Sequence, residues 1–251
     1  MKNYYIKALL VGAMFATLQS CTGAQTISSE ETKAIEKIEY APINTPDEAI
    51  AALIKGNKEF MEGNVDVYNQ SLEEAKTLVD GQAPFATIIG CSDSRVPIEL
   101  LFNQGFGDLF IIRNAGNCVK VPTAEGSIFY GIAHLHTKVI VVLGHTNCGA
   151  ITGLVNAGDD AHPHGHDHDH HSHAADAEME AYVNDMLNII DGQIPGYKGS
   201  HELNEAIDAN VVAQVELIKS LPGVQQKIDE GEIKVVGAIY DIATGKVTFS
   251  E

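Results

Sequence analysis

The segment Ala86-Thr87-Ile88-Ile89-Gly90-Cys91-Ser92-Asp93-Ser94-Arg95 decides the fold, because an uninterrupted apolar run gives way at once to reactive side chains. The same change recurs in Val139-Ile140-Val141-Val142-Leu143-Gly144-His145-Thr146-Asn147-Cys148. Short, β-branched runs with no polar alternation read as strands buried on both faces, which is the habit of parallel sheets.

Working outward, strand and helix patterns alternate from residue 84. Strands are expected at Phe85–Gly90, Asp108–Arg113 and Lys138–Leu143, with helices at Pro97–Phe102, Thr123–His136 and from about Cys148. Helices follow at Ala177–Ile190 and Leu203–Ser220, and strands at Glu232–Tyr240 and Lys246–Ser250 flank an Ala243-Thr244-Gly245 turn. Upstream, Thr45-Pro46-Asp47-Glu48 carries an N-cap, a first-position proline and first-turn acids, so a helix starts there. Its apolar stripe is Ala49, Ile50, Leu53 and Phe60. The order implies an α/β domain whose mostly parallel sheet is flanked by helices. In such sheets ligands bind beyond the carboxyl ends of strands, where strand order switches. Both reactive stretches fall at such ends.

Cys91, His145 and Cys148 supply two thiolates and an imidazole, one short of the four ligands a structural zinc takes; a catalytic zinc leaves that position to water. Cys148 lies near a helix start, where the N-terminal potential favours the thiolate that binds metal. Asp93 and Arg95 follow Cys91 at intervals of two, which in an extended segment projects all three to one side. Asp93 is then placed to orient a bound water, and Arg95 to hold Asp93 off the metal through a bidentate pair. Cys118, after Asn114-Ala115-Gly116-Asn117, reads as a small packed thiol. The bland alternatives are a closed zinc knot with Asp93 or Cys118 as fourth ligand, or a pair of core cysteines.

The 251 residues are long enough for one well-buried domain. The N-terminus has its own pattern: Lys2 and Lys7 precede an apolar stretch, Ala8–Thr17, too short to span a bilayer. Leu18-Gln19-Ser20-Cys21 resembles a bacterial lipobox, which implies a signal peptide over 1–20, lipidation of Cys21 and a polar tether over 21–43. Export to the periplasm or cell-envelope face, with membrane contact through the lipid anchor alone, is the corresponding expectation. The remaining three cysteines cannot form a closed disulfide framework. Formal charge is −18, and losing Lys2 and Lys7 makes it two units more negative, which disfavours nucleic acid as a partner.

Cys-x-Asp-x-Arg followed by His-x-x-Cys, with Arg113-Asn114-Ala115-Gly116-Asn117 and Glu125-Gly126-Ser127 between them, resembles the β-class carbonic anhydrases. The resemblance runs from about Asp47 to Phe249. It implies hydration of CO₂ to bicarbonate and a proton at a zinc-bound hydroxide, with Cys91, His145 and Cys148 as zinc ligands and Asp93 with Arg95 as the gating dyad. It also implies four parallel strands plus an antiparallel fifth, and a homodimer or homotetramer. The chain contains no tryptophan, so the resemblance does not extend to the family's tryptophan-containing bicarbonate pocket. Two other functions use the same residues: hydrolysis of carbonyl sulfide or carbon disulfide, and non-enzymatic zinc transfer by a periplasmic lipoprotein.

The domain over 44–251 is interrupted at 158–176, where His162, His164, His166, His168, His170, His171 and His173 are interleaved with Asp167 and Asp169. Nearly devoid of apolar groups, this stretch is expected to be a loop, with zinc collection, proton acceptance and a solvated insertion as its candidate roles. His134, His136 and His201 are expected at helix ends or the surface.

Overall fold

The computed structural model describes residues 42–64, 70–157 and 174–250, with side chains excluded over 174–177. The N-terminal signal, Cys21, the expected tether as far as residue 41 and the histidine cluster lie outside the described residues, whereas Ile43, at the end of the expected tether, packs against the core.

A five-stranded sheet forms the centre, in the order β2-β1-β3-β4-β5, from β1 (Ala86–Cys91), β2 (Leu109–Asn114), β3 (Val139–His145), β4 (Lys234–Tyr240) and β5 (Val247–Ser250). The first four run parallel and β5 pairs antiparallel with β4. Alternation along the inner strands divides the core. Ile88, Val141 and Leu143 face one layer with Ala49, Leu53, Leu101 and Phe102, whereas Ile89, Ile140 and Val142 face Val211, Val215 and Ile218. Every residue of β1 and β3 is buried, as their unbroken apolar sequence requires. Each fully buried Leu or Ile contributes about 1.5–3 kcal/mol relative to exposure.

The first layer holds α1 (Pro46–Met61) and α3 (Ile98–Leu101), and the second α4 (Pro122–Ala133) and α7 (Leu203–Ser220). α5 (Gly149–Val155) packs with α7 and α6 (Ala174–Asp191). The Thr45 side chain accepts from Glu48 N–H while Glu48 returns a bond to Thr45 N–H, a capping box at the expected helix start. At Gly56 of α1 an added Cβ would stand 1.7 Å from the Phe102 carbonyl oxygen, so only glycine allows this close approach. Asn57, one residue on, is buried and donates to the Leu101 and Gly245 carbonyls while accepting from Val247 N–H.

Two short helices, α2 (Leu72–Thr77) and α8 (Val224–Asp229), were not expected from sequence. α2 buries none of its residues and therefore carries no apolar stripe. α4 stops at Ala133, three residues before the expected end, with exposed His134 as its C-cap and His136 in a left-handed turn. Among the described residues, no helix is long and apolar enough to cross a membrane.

Candidate metal centre

β1 and β3 are neighbours, and their carboxyl ends meet where the strand order switches, because β2 lies on the far side of β1. Cys91 is the last residue of β1 and His145 the last of β3, while Cys148 is the N-cap of α5. Their ligand atoms all lie within 4.8 Å of one another, and all three residues are buried. They form the only such group found among the described residues.

The donor set is arranged for a soft divalent cation. His145 Nδ1 lies 3.0 Å from the Thr146 carbonyl oxygen, which can only accept, so Nδ1 carries the proton and Nε2 offers a lone pair. Nε2 is fully buried and has no hydrogen-bond partner, an expensive condition unless a cation takes it. The two sulfurs behave as one coupled pair. A hydrogen bond from Cys148 lowers the Cys91 thiol, helped by His145 and by the N–H groups of Asp93 and Gly116 and opposed by burial. The same contact, together with burial, pushes Cys148 up, although the N–H groups of Ile151 and Ala150 favour its thiolate. Two sulfurs this close do not readily both become thiolates by themselves, and a divalent cation between them would favour loss of both protons. Zinc fits this set of two thiolates and an imidazole.

Asp93 and Arg95 join as anticipated, by a different local geometry. Cys91 ends the strand, and residues 93–96 form a turn closed by Val96 N–H to the Asp93 carbonyl, not an extended segment. The Asp93 carboxylate caps this turn by accepting the Arg95 N–H at 2.9 Å. Arg95 Nε then donates to Oδ1 at 2.9 Å and Nη2 to Oδ2 at 2.7 Å. The Arg95 guanidinium holds Asp93 below the ordinary carboxylate range, to about 2. Asp93 Oδ2 stands 4.0 Å from His145 Nε2, at the edge of the ligand group without entering it.

Three supporting groups had escaped notice in the sequence. Arg113, quoted only as part of a motif, donates from Nε to the Cys91 carbonyl at 3.0 Å and from Nη2 to the Asp93 carbonyl at 2.8 Å. Its place in the ladder, opposite Gly90, was the available signal. The carbonyls of Thr146 and Asn147 orient His145 and Arg95, respectively. Backbone acceptors leave no mark in residue identity. Cys118 is a packed thiol outside the ligand group, raised by burial.

Comparison with known proteins bears on the same residues. A family model described as carbonic anhydrase matches residues 86–247, a span that includes every residue of the centre. The chain is 31% identical over 215 residues to carbonic anhydrase 2 of Mycobacterium tuberculosis, covering 84% of this chain and 95% of that protein. Among solved structures, the β-carbonic anhydrase CcaA is 25% identical with a TM-score of 0.53, covering 80% of this chain and 95% of its own. One of two tetrameric β-carbonic anhydrases from Sordaria macrospora is 26% identical with a TM-score of 0.50, covering 70% and 84%.

Proposed function

Since this chain belongs to the β-class carbonic anhydrase family, we propose that it catalyses the reversible hydration of CO₂ to bicarbonate and a proton. The observation that carries the reading is the combination of three converging buried ligand atoms with a carboxylate pinned just outside them. When bound, zinc supplies a Lewis-acidic position with one open coordination site.

The chain's own residues do the rest. Cys91, His145 and Cys148 hold the ion, and the Thr146 carbonyl fixes the imidazole so that Nε2 faces it. Asp93 accepts a hydrogen bond from the attacking water and turns a lone pair toward the carbon of CO₂. Held down to about 2, Asp93 is a poor store for a proton at neutral pH, so its part is orientation and the proton leaves to solvent. Arg95 and Arg113 keep the carboxylate and its turn in place.

The names of the relatives favour CO₂ over carbonyl sulfide or carbon disulfide. A metal-passing role is disfavoured by the dyad, which a storage site does not need. Stopped-flow CO₂ hydration by the soluble form beginning after Cys21, with metal analysis of the same sample, tests the proposal. Turnover that tracks zinc content supports it, and full zinc occupancy without turnover refutes it.

Three further readings rest on sequence and complete the proposal. Cys21 anchors an exported enzyme to a bacterial membrane. The histidines between 162 and 173 collect zinc for the centre, and deleting them should slow metal uptake at limiting zinc. The active species is a homodimer or homotetramer, a reading supported by the tetrameric Sordaria relatives.

A further inference from the structure

Helix α7 carries two uncharged amides in the stripe that faces the core: Asn210 is 1% exposed and Gln214 fully buried. A buried amide is costly unless its polar atoms are bonded. Here the bonds converge on one loop. Gln214 Oε1 accepts the Val119 N–H at 2.8 Å, Gln214 Nε2 donates to Asn210 Oδ1 at 3.1 Å, and Asn210 Nδ2 donates to the Gly116 carbonyl at 2.9 Å. The pair, one turn apart, thereby makes a continuous chain from Val119 to Gly116.

The loop so held is the connection leaving β2, a tight turn over Ala115–Asn117. Gly116 and Asn117 both have left-handed backbones, at φ of 68° and 44°, and a Cβ on Gly116 would stand 2.8 Å from Ile190 Cδ1. Such a turn persists only where its surroundings enforce it. Asn114 closes it from within, its amide donating to the Cys118 carbonyl and accepting the Cys118 N–H, both at 2.7 Å. The turn borders Cys91: Asn114, which opens it, pairs with Cys91 across β1 and β2, its carbonyl accepts the Ser92 N–H at 3.0 Å, and the Gly116 N–H is among the groups that lower the Cys91 thiol.

We propose that Asn210 and Gln214 are positioning residues for the Cys91 thiolate, acting through the backbone of Gly116. This rests on the reading of Cys91 as a metal ligand. The two amides touch neither metal nor substrate. They hold the turn against the end of β1, so that its backbone keeps Cys91 in place beside His145 and Cys148. Outer groups of this kind typically influence metal affinity about 10–100-fold.

The test compares Asn210→Leu and Gln214→Leu with Ile218→Ala, a fully buried position one turn further along α7 that bonds nothing in the loop. Gln214→Glu keeps an acceptor for Val119 and loses the donor to Asn210. Zinc affinity is measured by chelator competition, and the thiolate-to-metal charge-transfer band is recorded on the cobalt(II)-loaded protein. Circular dichroism and urea unfolding report the fold. The two leucine variants should bind zinc about 10–100-fold more weakly and shift or weaken the cobalt band, Gln214→Glu should fall between them and wild type, and Ile218→Ala should change neither readout. Wild-type affinity and an unaltered band in the amide variants would overturn the proposal, as would an equal loss in Ile218→Ala at matched stability. If the leucine variants do not fold, Gln214→Glu decides by the same two readouts. A wild-type chain that takes up no zinc would instead refute the metal-centre reading itself.

Discussion

Arg95 engages both oxygens of Asp93, at 2.9 and 2.7 Å, and the grip leaves Asp93 Oδ2 4.0 Å from His145 Nε2. A carboxylate this close to three soft ligands has a competing partner in any divalent cation they hold. The bidentate pair, with Arg95 also bonded to the Asn147 carbonyl at 3.0 Å, opposes that exchange. Arg95→Ala should therefore move Asp93 into the metal shell and close the open position. X-ray absorption should show an added oxygen ligand from protein, and hydration should fall by about 10–100-fold while zinc stays bound. An unchanged shell would remove the gating role of Arg95.

Asp93→Asn separates orientation from metal binding. The amide preserves shape and loses the charge that accepts the water's hydrogen bond and holds Arg95. Zinc content by plasma mass spectrometry should match wild type, because Asp93 is not among the three converging ligands. Turnover should drop by about 10²–10³, the usual cost of losing one preorganised group at a reacting oxygen. Loss of zinc together with activity would show that the carboxylate is structural.

The same pair makes a pH prediction. Its folded-state value of about 2, set chiefly by the Arg95 hydrogen bond, lies below the ordinary carboxylate value of about 3.9. A depressed acid stabilises the fold above its unfolded value and loses that contribution as pH falls toward its folded one. The urea midpoint of wild type should exceed that of Asp93→Asn near pH 6, and the gap should close between about pH 4 and pH 2. A gap that persists unchanged at pH 2 would assign the difference to shape alone.

The fold was legible wherever burial dictated residue type. β1 and β3 are buried throughout, so Ile88, Ile89 and Val139–Leu143 leave no plausible reading except inner parallel strands. The convergence of Cys91, His145 and Cys148 was legible for the same reason, since all three sit where strand ends meet. What sequence could not show was carried by backbone atoms and exposed surface. The turn that joins Asp93 to Arg95 depends on an N–H and a carbonyl that every residue possesses, and α2 buries nothing. Arg113 and the Asn210–Gln214 pair act through carbonyls and N–H groups in other segments, and only the folded chain brings these together.

Metal removal should expose a redox weakness. The Cys91 and Cys148 sulfurs lie close together in one buried group, and the contact with Cys148 lowers the Cys91 thiol. Chelator-treated protein exposed to oxidised glutathione should form a Cys91–Cys148 disulfide by exchange, releasing two equivalents of reduced glutathione. Intact mass would fall by two hydrogens and two titratable thiols would be lost, while zinc-loaded protein retains both. Equal oxidation with and without zinc would mean that the sulfurs are not both engaged by the metal.

Asn57 tests the framework that carries the centre. Its side chain ties α1 to the Leu101 carbonyl and to the hairpin through Gly245 and Val247, all by bonds of 2.8–3.1 Å. Asn57→Ala removes one donor group and one acceptor and strands backbone partners that water reaches poorly, each costing about 1–3 kcal/mol, without strict additivity. A total near 3 kcal/mol corresponds to a fall of roughly 6–12 °C in Tm for a domain of this size. Asn57→Asp should recover part of that loss, because a carboxylate still accepts from Val247 N–H but cannot donate to the two carbonyls. If calorimetry finds Asn57→Ala as stable as wild type, water has replaced the amide and the tie between α1 and the hairpin is dispensable.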